Sequence, residues 1–83
     1  MNSENKNVDD NFRDELELLA ALHRSCEIIF RAATGSRSVI RDRIADLYSR
    51  DGIEYLKTGS GLEIELAKLI EVDGKRPSDQ PLA

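Results

Sequence analysis

Asp46-Leu47-Tyr48-Ser49-Arg50-Asp51-Gly52-Ile53-Glu54-Tyr55-Leu56 is the stretch whose reading decides the fold. Both central positions of a tight two-residue hairpin turn need positive φ, and Asp51-Gly52 supplies that at little cost. Ile53 to Leu56 is a strand by composition, rich in β-branched and aromatic side chains. Its partner should precede the turn. Residues 39 to 48 are ambiguous by themselves, since Ile40, Ile44, Leu47 and Tyr48 fit a helix while Val39, Ile40 and Ile44 fit a strand. The turn decides for the strand.

Downstream, Gly59-Ser60-Gly61 forms a second turn, and Leu62, Ile64 and Leu66 alternate with Glu63 and Glu65 to give one apolar face and one acidic face. Leu69, Ile70 and Val72 make a short last strand, stopped by Asp73-Gly74. Upstream, Cys26, Ile28 and Phe30 alternate with Glu27, Ile29 and Arg31 in another extended segment that closes at Gly35. Before it the apolar period lengthens to that of a helix over about residues 11 to 24. Asn11 or Asp10 can cap its start, and Asp14 and Glu15 favour its positive end. Phe12, Leu16, Leu19, Ala20 and His23 form its buried stripe, which Leu18 and Leu22 widen. His23 and Arg24 complement its negative end. One helix and about five short strands joined by tight turns predict an α+β fold that is mainly β, a small bent barrel capped by the helix.

The boundaries of the domain follow from composition. Residues 1 to 9 are polar and acidic and read as a disordered lead, and residues 75 to 83, with Pro77 and Pro81, as a disordered tail. Residues 10 to 74 are the single domain that 83 residues allow. So short a chain has little stability to spare for a deep active-site pocket. A lone Cys26, no basic-then-apolar leader and no apolar run of spanning length predict a reducing cytoplasm and no membrane contact.

The net charge of −4 is unevenly placed. Glu4, Asp9, Asp10, Asp14, Glu15 and Glu17 face only Lys6 and Arg13 within the first seventeen residues, and the rest of the chain is balanced. That asymmetry argues against direct DNA binding, which needs clustered cations, and suits a basic protein surface.

No chemistry emerges from the motifs. One His and one Cys cannot make a zinc site of the usual donors, and Cys26 opens a buried strand where a thiol acts as a small hydrophobe. Gly59-Ser60-Gly61 lacks the further glycine of a dinucleotide loop. We expect no enzyme, no metal and no cofactor. Arg37, Arg41, Arg43 and Arg50, with Tyr48 or Tyr55 beside them, could neutralise phosphate and stack bases, so an RNA-binding module is the alternative. Asp42, Asp46 and Asp51 interleave and cancel much of that field.

The order of elements resembles the Sm-like barrel of the Hfq class, with Ile40-Arg41-Asp42-Arg43-Ile44 where such proteins carry a long bent second strand, Asp42 replacing the usual small residue. More closely, Asp46-Leu47-Tyr48-Ser49-Arg50, Ile53-Glu54-Tyr55-Leu56, Glu63-Ile64-Glu65-Leu66 and Lys68-Leu69, joined by Asp14, Leu16, Glu17 and residues 26 to 31, resemble the Rof family of Rho-binding antiterminators. That resemblance implies an acidic Sm-like monomer that occupies the RNA-binding surface of the termination factor Rho and blocks transcript loading. It implies contact through Asp14 and Glu17 on the helix and through Ser49 and Arg50 at the turn. Two further contact positions depart from the family: Arg13 replaces a tyrosine, and Asp10 lies near the place of a cysteine.

Overall fold

The computed structural model describes residues 10 to 77, beginning with helix α1 (Asp10–Leu22). Phe12, Leu16 and Leu19 recur at helical spacing and are all buried. The helix ends earlier than its apolar pattern suggests. His23 turns to a φ of 56°, the left-handed conformation that terminates helices, and its N–H bonds back to the Ala20 carbonyl at 3.2 Å. His23 is therefore an exposed stop and not part of the buried stripe. Leu18 and Leu22 also lie outside that stripe, 55% and 50% exposed.

Six strands follow: β1 (Cys26–Arg31), β2 (Arg37–Asp42), β3 (Ile44–Arg50), β4 (Ile53–Thr58), β5 (Glu63–Glu65) and, after a 3₁₀ turn at Leu66–Lys68, β6 (Leu69–Val72). They form two antiparallel three-stranded sheets, ordered β2-β1-β6 and β3-β4-β5. The architecture is α+β with one N-terminal helix, as expected, but the five strands are six and the described residues form no closed sheet. The difference arises at Arg43. Residues 39 to 48 are extended, yet Arg43 interrupts them and passes the chain from one sheet to the other.

The break has a specific cause. The Asp42 carboxylate accepts the Arg43 N–H at 2.8 Å with one oxygen and the Ser60 N–H at 3.0 Å with the other. The Gly59 N–H donates to the Arg43 carbonyl at 3.0 Å. Backbone groups of the corner are thus satisfied by a side chain and by the β4–β5 turn. A Cβ at position 59 would stand 2.8 Å from an Asp42 carboxylate oxygen, so any side chain there would have to displace that carboxylate.

Between the sheets and the helix lies one core of Phe12, Leu16, Leu19, Cys26, Ile28, Ile44, Leu56, Ile64, Leu66, Leu69 and Val72. Each large side chain so buried contributes about 1.5–3 kcal/mol of transfer free energy. Among the described residues Thr58 is the buried polar one, and its hydroxyl accepts the Leu62 N–H at 3.1 Å. Leu62 itself is exposed, so the inward alternation begins only at Ile64.

Asp51 and Gly52 have φ of 55° and 81° and join β3 to β4 with Arg50 opposite Ile53. Asp73-Gly74 repeats this geometry at 49° and 87°, folding Lys75 back onto Val72 through two backbone hydrogen bonds of 2.8 and 2.9 Å. Lys75, the first residue of the expected tail, is thereby paired. Residues 78 to 83 and the expected lead, 1 to 9, lie outside the described residues. No helix among the described residues is long and apolar enough to cross a membrane.

Candidate partner-binding faces

The sequence-derived contact residues fall on two surfaces. Asp10 opens α1, and Asp14 and Glu17 are exposed along it. Arg13 leans toward the sheet: its Nη1 donates to Glu54 Oε2 on β4 at 2.5 Å, while its Nε lies 3.8 Å from Glu17. The 2.5 Å contact is a charge-assisted link between helix and sheet. Asp14 therefore faces solvent, and Glu17 meets only a long, exposed contact worth a few tenths of a kcal/mol.

Ser49 and Arg50 point to opposite faces of the sheet, as successive strand residues do. Ser49 lies opposite Glu54, on the side of the sheet that carries the link to the helix. Arg50 emerges on the other side. Its guanidinium carbon sits 5.4 Å from the Tyr48 ring centre and 5.3 Å from that of Tyr55. The two rings are stacked 5.4 Å apart at 20°.

This aromatic pair was legible in principle. A two-residue turn at 51 and 52 fixes Tyr48 opposite Tyr55, and the register confirms it. Glu63 completes the cluster, 3.4 Å from Arg50, and nothing in the sequence brought it there. A hydrogen bond from the Tyr48 hydroxyl holds the Glu63 carboxyl below its ordinary value. Desolvation, then that same bond, push the Tyr48 hydroxyl up. Glu54, the sheet anchor of Arg13, was also missed.

Beside Tyr55 opens a cleft of about 390 Å³ floored by Phe30, Leu62 and Ile64. Both signs of charge line its rim, so it shows no preference for an anion or a cation.

The four arginines read as one basic cluster separate in space. Arg37 and Arg41 share the outward face of β2, Arg43 occupies the break, and Arg50 belongs to the second sheet. Cys26 is fully buried, with its Sγ 3.4 Å from the Arg24 carbonyl oxygen. Burial pushes its thiol up, away from the thiolate that a nucleophile requires. No three His, Cys, Asp or Glu side chains among the described residues are grouped to hold a metal. No family model, no curated protein and no solved structure matches this chain.

Proposed function

We propose that the chain is a non-enzymatic regulator of Rho-dependent transcription termination, docking its acidic helix on the RNA-binding surface of Rho and blocking transcript loading. One observation carries this reading: α1 displays Asp14 and Glu17 beside two exposed leucines, Leu18 and Leu22. Carboxylates steer and orient such a helix on a basic surface, and desolvated leucines would supply affinity. The Rof-like residue pattern names the basic partner. Counting β2 and β3 as one bent strand gives a helix and five strands in the order of an Sm-like barrel, which supports the same reading.

The test is binding of purified Rho in a salt series. The double reversal Asp14→Lys with Glu17→Lys should weaken binding roughly tenfold, the sum of two lost attractions and two new repulsions. Wild-type binding should fall as ionic strength rises. Absence of salt-sensitive binding by the wild-type protein would sink the proposal.

A further inference from the structure

The arginines divide into two groups. Arg13, Arg50 and Arg76 each have a carboxylate within 4 Å. Arg24, Arg31, Arg37, Arg41 and Arg43 have none among the described residues, and the register places three of these, Arg31, Arg37 and Arg41, together on the outward face of the β1–β2 hairpin. Arg31 lies directly opposite Arg37, a like-charged cross-strand pair that destabilises a bare sheet. One Arg31 nitrogen is engaged by the Gly35 carbonyl at 3.1 Å, which holds its guanidinium at the hairpin's end. Between the two charged ends sits an apolar step, Val39 opposite Ile29, with Val39 57% exposed.

We infer that this face binds a single-stranded RNA backbone, a capacity separate from the docking of α1. Arg37 and Arg41 are four residues apart on one strand, about 13 Å at the rise of an extended chain. That length matches two to three phosphates of a single strand, with sugar surface lying over Val39. Glu27 is the carboxylate opposite Arg41. Glu71, beside Ile29, pairs with Arg76 at 3.6 Å, and among the described residues Glu27 is the carboxylate of this row without an ion pair. A ribose 2′-hydroxyl can donate to it, and deoxyribose has no such donor. This face, with Glu71 of β6 beside Ile29, lacks the continuous basic surface that a duplex requires.

The experiment is fluorescence anisotropy of a labelled oligouridylate with purified protein and no Rho present, at several salt concentrations. Affinity should fall with salt at a log–log slope of about −2, as expected for roughly three phosphates at ~0.7 per single-strand contact. Arg37→Glu with Arg41→Glu should weaken binding tenfold or more. Lys57→Glu, an equal charge change per site on the other sheet, should leave it unchanged. Thermal unfolding of each variant verifies the fold. Oligodeoxythymidylate should bind more weakly than the RNA, and Glu27→Gln should narrow that gap. No binding at low salt, equal losses from Lys57→Glu, or DNA binding as tight as RNA would overturn the inference. Because Rho is absent, the result stands apart from the fate of the docking proposal.

Discussion

Asp42 holds more of the fold than its half-buried position suggests. Its two oxygens accept N–H groups from Arg43 and from Ser60, eighteen positions away, and these bonds depress its pKa. A carboxyl whose folded pKa is depressed contributes stability above its unfolded value, near 3.9, and loses that contribution as pH falls through the folded value. Asp42→Asn should therefore lower the thermal midpoint at neutral pH, with the difference from wild type shrinking below about pH 4. Melting curves from pH 3 to 7 check this, and a constant difference would contradict it. Gly59→Ala, which drives a Cβ onto the same carboxylate, should cost roughly 1–3 kcal/mol in urea unfolding. Asp51-Gly52 was readable because a turn is a local matter of φ. Asp42 was not, because its partner at Ser60 becomes a neighbour only after the sheets are assembled.

At the scale of elements, periodicity identified α1 but overstated its buried side. Phe12, Leu16 and Leu19 pack inward, while Leu18, Leu22 and His23 do not. A list of apolar positions cannot tell a wide buried stripe from a buried stripe beside an exposed pair. Stability measurements can. Leu16→Ala should cost about 2–5 kcal/mol by transfer and cavity terms. Leu18→Ala and Leu22→Ala should each change stability by no more than about 0.5 kcal/mol. If the leucines also serve docking, the same two variants should weaken Rho binding without altering the urea midpoint. The register of β3 with β4 was likewise legible once the turn length was fixed. The contact of Glu63 with Arg50 was hidden, because it depends on how β5 returns beside β4.

For the molecule as a whole, the sequence supported an α+β chain with its helix first, and the split into two sheets arose from a single corner. The sorting of charge was partly visible: the acidic first helix stood out in the composition, whereas Arg31, Arg37 and Arg41 share a face only through pairing of β1 with β2. Cys26 reports on the integrity of the entire core, being fully buried where β1 begins. A thiol reagent should label it only through global opening, at a rate that rises with urea as stability falls. Rapid labelling of the native protein would show that the core opens locally.

The corner at Arg43 also bears on how the molecule comes apart. Since β2 runs without a loop into β3, one sheet cannot be peeled away without pulling an edge strand of the other. Hydrogen exchange should therefore find the amides of both sheets protected to a similar degree, as a single cooperative unit, with Asp42 acting as the latch between them.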